Sequence, residues 1–217
     1  MPGRSKAELR SFLESLKGRD KVKVICIDLS SNYRNIIRKY FPNAKIVADR
    51  FHVIRLINHH SMNVYQTIDP NIKYQRGLLN MLRTHPNKLS PKQLQLRQNY
   101  FDAQPAIEAV YNFKQRLHHL LMYKHRSARQ CRRLIPIFLK MINVLKQSGF
   151  TPMQTLGKTL CQWRDEIARM WRFTKNNGIT EGFHRKMKLI QRRAYGFRCF
   201  ENYRLRVRVL CAGITAP

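Results

Sequence analysis

Two short apolar, β-branched runs limit this chain more than anything else in it. Each is stopped by an aspartate, and one amphipathic stretch separates them. The first run, Val22, Val24, Ile25, Cys26 and Ile27, ends at Asp28. The second, Ala44-Lys45-Ile46-Val47-Ala48, ends at Asp49. Runs of this length and composition are strands of a sheet covered on both faces. Between them, residues 32–40 have helical spacing and stop at Phe41-Pro42. After Asp49, the positions of Phe51, Val53, Ile54, Leu56 and Ile57 open a long helix. Strand–helix–strand–helix predicts an α/β sheet with right-handed crossovers. The carboxyl ends of such strands line the crevice where ligands bind. The plainer alternative for either aspartate is that it caps the helix that follows.

The rest of the chain reads as helix. Residues 1–20 form an amphipathic helix, with Ser5 and Glu8 spaced as a capping box, Leu9, Phe12, Leu13 and Leu16 on one face, and Gly18 ending it. From about residue 60 to 170 the apolar residues keep helical spacing, for example Leu78-Leu79-Leu82 and Leu117-Leu120-Leu121. Ser90 caps a helix that starts at Pro91. Leu156, Leu160, Trp163, Ile167 and Met170-Trp171 fit one further helix. Trp163 and Trp171 sit at core spacing. His118, His119 and His125 lie among Lys and Arg and read as solvated or phosphate-facing rather than metal-binding. Residues 200–211 fit a last helix, with an edge strand as the alternative because Arg204, Arg206 and Arg208 alternate with apolar residues.

Charge narrows the partners. The 217 residues hold 42 Lys and Arg against 12 Asp and Glu, a net charge of +30. Such an excess, spread over folded segments rather than one tail, points to a polyanion. Each cation placed on a phosphate releases a counterion and makes binding salt-dependent. The five cysteines are dispersed, without the spacing of a zinc site. No secretory signal opens the chain and no apolar run is long enough to span a bilayer. A reducing, cytoplasmic setting is the expectation.

In so basic a chain, Glu181 stands out. It falls in the first turn of a helix that follows Asn176-Asn177-Gly178. Ile179, Phe183, Met187, Ile190 and Ala194 define the face expected to be buried. Glu181, Arg185, Lys188 and Arg192 define a polar face. Glu181 could simply complement the helix dipole and pair with Arg185, effects worth about 0.3–1 kcal/mol. The alternative is a carboxylate kept for chemistry. Tyr195-Gly196-Phe197 ends this helix.

The stretches KVICIDLSSNYRNIIRKYFPNAKIVADRFHVIRLIN and TKNNGITEGFHRKMKLIQRRAYGFRCFENYR resemble the catalytic-domain blocks of bacterial insertion-sequence transposases of the ISL type, a DDE family. The opening RSKAELRSFLESL fits as the helix entering that core. The resemblance covers nearly the whole chain. It implies a partial ribonuclease-H-like fold: an α/β core over residues 1–60, an all-helical insertion over 61–172, and a catalytic helix with a basic tail over 173–217 returning to the core. It implies a two-ion Mg2+ (or Mn2+) site, with Asp28 as the family's second acid and Glu181 as its third. Asp28 is preferred because its strand reads as the more deeply buried. Asp49 is the alternative ligand, or a supporting residue beside His52. His184 stands where members carry Asn or His. Arg185, Lys186, Lys188, Arg192 and Arg193 are implied to meet DNA, both transposon ends and target, and a homo-oligomer is compatible with the family. The family's first acid lies upstream of the opening helix, so the carboxylate set in this chain is expected to be incomplete. The expectation is a chain that alone binds DNA, associated with the nucleoid, without cutting it. The alternative is a non-catalytic basic DNA- or RNA-binding module.

Overall fold

The computed structural model describes residues 6–173 and 178–212, with side chains for Arg10, 12–173 and 182–211. The predicted cap at Ser5 with Glu8, the apolar Leu9 and Ile179, the Asn177 cap and the Glu181 side chain lie outside those described parts.

The elements run α1 (Lys6–Ser15), β1 (Val24–Ile27), α2 (Ser31–Tyr40), β2 (Lys45–Ala48), α3 (Arg50–Ile68), α4 (Arg76–Arg83), α5 (Pro91–Ala103), α6 (Pro105–Met122), α7 (Ala128–Lys146), α8 (Thr151–Gln162), α9 (Arg164–Arg169), α10 (Gly178–Arg193) and α11 (Phe200–Ala212). They fall into two compact units, residues 1–174 and 175–217. Among the described residues the sheet has two strands, β1 and β2, paired in parallel from Val24 opposite Lys45 to Ile27 opposite Ala48. With α2 between them they form the β–α–β unit that the apolar runs predict.

The first unit is built on α3. One side of it, with Val53, Ile57 and Val64, shares a core with Ile27, Ile46 and Val47 of the strands and with Leu121, Phe138, Ile142, Leu156, Leu160 and Trp171. Its other side, with Met62 and Tyr65, packs on Leu78, Leu82, Phe101, Ile107 and Tyr111 of α4 to α6. Each fully buried aliphatic or aromatic side chain contributes about 1.5–3 kcal/mol. Trp163 and Trp171 are both buried, as their spacing predicts. Ser90 and Gln93 make the reciprocal capping box that starts α5, with Pro91 in its first turn.

Three expectations need correction. The second strand, not the first, is the better buried: Ile46, Val47 and Ala48 are buried, whereas in β1 only Ile27 is. Among the described residues both strands are edges of the sheet, but β2 also packs against α9, which covers its side chains, whereas those of β1 stay half-covered. The single helix expected through Trp163 is two, because the chain turns at Trp163 (φ −107°, ψ 13°) and sets that ring under the Arg34 guanidinium, 3.6 Å away. On α10, Ile190 is buried but Phe183 is exposed. Its own unit offers α11 as packing partner, and one helix cannot cover the whole apolar stripe. Residues 200–212 are helical, which settles the helix-or-strand alternative.

Helices α7 and α8 meet at Gly157, where a β-carbon would stand 2.9 Å from Leu145 Cβ and 3.0 Å from the Lys146 backbone nitrogen. Gly157→Val is therefore expected to destabilise the chain by about 1–3 kcal/mol. Gly77→Ala in α4, where no atom lies within 4 Å of the added carbon, should stabilise by up to about 1 kcal/mol. Urea midpoints of the two variants check both signs, and equal midpoints would refute the close approach.

Candidate metal and nucleic-acid site

Parallel pairing puts the ends of β1 and β2 side by side. The Asp49 N–H donates to the Ile27 carbonyl at 2.7 Å, so the residues after both strands are held together. Asp49 then turns into α3 and caps it, its Oδ1 accepting the Phe51 N–H at 3.2 Å. Asp28 is not a cap in that sense, because the cap position of α2 is Ser30. The capping alternative thus holds for Asp49 and fails for Asp28.

One turn into α3, His52 reaches back. Its Nδ1 lies 2.9 Å from Asp49 Oδ2 and 3.1 Å from Asp28 Oδ1. Both neighbours are acceptors when ionised, so Nδ1 carries the hydrogen that bridges them. The donor atoms of Asp28, Asp49 and His52 all lie within 4.8 Å of one another. The two carboxylates differ in exposure: the Asp49 side chain is 3% exposed and the Asp28 side chain 47%. One is a fixed, buried anchor. The other faces solvent, where an ion could keep water or phosphate oxygens in its shell. Carboxylate oxygens are the donors that Mg2+ and Mn2+ prefer, so the pair fits such an ion. With its Nδ1–H given to the carboxylates, His52 orients them.

Cys26, in β1 beside this cluster, has its thiol pushed up to about 12 by burial first and then by the Asp49 and Asp28 charges. It stays a neutral thiol and offers no thiolate to a soft metal.

The sequence-predicted residues divide between the two units. Asp28, Asp49 and His52 come together in the first. Glu181 lies in the first turn of α10 in the second. His184, Arg185, Lys186, Lys188, Arg192 and Arg193 are all exposed on α10. Glu201 and Arg204 pair on α11, at 3.3 Å.

Sequence reasoning passed over the residues that brace the cluster. Arg50, next to Asp49, donates to the carbonyls of Tyr123 (3.0 Å) and Met170 (2.7 Å) and so ties the start of α3 to the ends of α6 and α9. Arg169 donates to the Ile46 carbonyl at 3.0 Å. Glu166, 4% exposed in its side chain, takes Arg34 at 2.9 Å and Arg38 at 3.6 Å. The available signal was scarcity: an acid within a core-spaced helix of so basic a chain needs a cation. Among the described residues no helix is long and apolar enough to cross a membrane.

A family model described as a transposase, of the ISL3 DDE type, matches residues 1–207. The transposase for insertion sequence element IS1001 from Bordetella parapertussis is 28% identical over 226 aligned residues, which cover 98% of this chain and 53% of that protein. The chain spans about half the length of this curated relative. No solved structure matches it.

Proposed function

The chain belongs to the ISL3-type DDE transposase family, and on that premise we propose that it serves DNA transposition through metal-dependent phosphoryl transfer. The observation that carries the reading is the Asp28–Asp49–His52 cluster at the carboxyl ends of two parallel strands. The β–α–β unit that presents it supports a ribonuclease-H-like core.

Asp28 and Glu181 would hold the ions, with Asp49 as the buried anchor that fixes His52, and His52 as the donor that orients Asp28. Two divalent ions, when bound, activate the attacking oxygen and stabilise the leaving oxygen of an in-line displacement. The protein's own contribution is position and charge. Asp28 presents its carboxylate to solvent, where a phosphodiester can approach. The exposed Arg185, Lys188 and Arg192 neutralise backbone phosphates, with Lys186 and Arg193 beside them.

The test is DNA affinity measured with and without Mn2+. Mn2+ should tighten binding by the 217-residue chain, and Asp28→Ala or Glu181→Ala should abolish that gain. If both substitutions leave affinity unchanged or raise it, with Mn2+ as without, the chain is a basic binder and the metal reading fails. In a salt titration, alanine at Arg185, Lys188 and Arg192 should reduce the slope of log K against log salt by about 0.9 for each phosphate left without its cation. An unchanged slope would remove α10 from the DNA interface.

A further inference from the structure

Residues of α6 and α7, with His85 and Pro86, line a cleft of about 890 Å3 that the site above does not use. Its floor is apolar, with Phe113, Leu120, Leu134 and Met141. Its edge carries His85, Arg116, His119 and Lys140. Among the described residues no acid lines it. Met122, Ile137 and Val144, which also line it, are 41%, 49% and 54% exposed. Apolar surface of this extent in a cleft marks a binding surface.

The chemistry of the lining selects the occupant. A cationic edge around an apolar, partly aromatic floor suits a ligand that is flat and apolar at one end and anionic at the other. That describes one nucleotide out of its stack: a base that can lie on rings, joined to a phosphate that can meet Arg116 and Lys140. An acidic amphipathic helix shares the charge, but the excess of 42 Lys and Arg over 12 Asp and Glu across the chain favours a nucleic-acid occupant. Tyr123 also lines the cleft, its hydroxyl 3.2 Å from His119 Nε2 and its ring under the Arg126 guanidinium at 4.8 Å. Burial, and then the charges of Lys114, His85 and His119, lower the pKa of the His118 imidazole in the lining. At neutral pH it therefore offers both a donor and an acceptor, as a base edge requires. One structural tie joins the cleft to the carboxylate end of the strands: the Tyr123 carbonyl is one of the two that Arg50, next to Asp49, holds.

We propose that the α6–α7 cleft receives a single unpaired nucleotide of the DNA, its base on the apolar floor and its phosphate on Arg116 and Lys140. The proposal rests on the DNA-binding reading above and adds a preference within it. The site would favour DNA with an unpaired base over fully paired DNA.

The experiment compares the 217-residue chain on two labelled duplexes of the same length, one fully paired and one with a single bulged 5-iodouracil. The bulged duplex should bind about tenfold more tightly, the increment expected of one stacked base. Irradiation should crosslink the iodouracil to Phe113, His119 or Tyr123, mapped by peptide mass spectrometry. Ile137→Trp, which fills the mouth of the cleft, should erase the tenfold preference and the crosslink while leaving paired-duplex affinity unchanged. Paired-duplex affinity and the circular dichroism spectrum of that variant report whether it is folded, and Arg116→Gln should halve the preference or more in a cleft left open. Equal affinity for both duplexes, or a crosslink that maps elsewhere, overturns the cleft proposal and leaves the DNA reading standing. Binding to neither duplex overturns both. Displacement of the bulged duplex by an acidic amphipathic peptide, with no crosslink in the cleft, assigns the groove to a protein and overturns the proposal.

Discussion

Glu166→Ala is expected to lower the unfolding free energy by about 3–5 kcal/mol, the cost of leaving a buried charge without its counter-charge. Glu166 has a 4% exposed side chain, and its principal partner, Arg34, is 11% exposed and 2.9 Å away. Arg34 also donates to the Gln162 carbonyl at 2.9 Å. Removing Glu166 keeps that carbonyl and the Trp163 ring, and neither carries a full negative charge. Arg38, 63% exposed, adds little, as exposed ion pairs do. The loss matters beyond stability, because the pair fastens α2 to α9, and α9 in turn fastens to β2 through Arg169. Guanidinium denaturation followed by circular dichroism measures it. Changing Arg34 to Met together with Glu166 to Leu should recover much of the loss, since an apolar pair needs no counter-charge. A Glu166→Ala penalty under about 1 kcal/mol would show that the pair is solvated and braces nothing.

Asp49 can be taken apart by two substitutions. Asn retains an oxygen able to accept the Phe51 N–H, and it ranks with Asp as a helix cap. Asp49→Asn should therefore keep α3 intact yet remove the buried charge from the cluster, with Mn2+ affinity falling by about 10–100-fold or more. Asp49→Ala loses the cap as well and should cost a further ~1 kcal/mol of stability. The readout is paramagnetic broadening of the His52 ring protons as Mn2+ is added, alongside urea midpoints for the two variants. Broadening that persists unchanged in Asp49→Asn would restrict the residue to capping.

What could be read from the chain was local. The two strands, α2, the start of α3 and the Ser90 cap all rest on neighbours within one or two turns, where periodicity and capping chemistry speak directly. His52 beside Asp49 was legible for the same reason, as a pair one helical turn apart. The relative burial of the strands was not, because it depends on which faces other elements cover. Neither was the role of Glu166, whose partner Arg34 lies 132 positions away in sequence. Lys114 shows the same limit. It occurs among the polar residues of α6, yet it is buried and donates to the Leu82 carbonyl at 2.6 Å. Burial, with Arg97 nearby, lowers its pKa to about 8. The ionised form is penalised in the folded state, so this group's contribution to stability declines as pH falls from its unfolded value of 10.5 to about 8 and is level below that.

The pairing of Ile27 with Ala48 also has a consequence in time. Asp28, Asp49 and His52 belong to one β–α–β unit and the first turn of the helix after it, so the loop that must close to bring them together is short and costs little chain entropy. Contacts from the strands to α8 and α9, by contrast, close loops of more than a hundred residues and must wait for distant chain. On a ribosome β1, β2 and the start of α3 emerge before α8 and α9. All three residues of the carboxylate cluster are therefore present in the emerging chain before the helices that bury and brace them have been made.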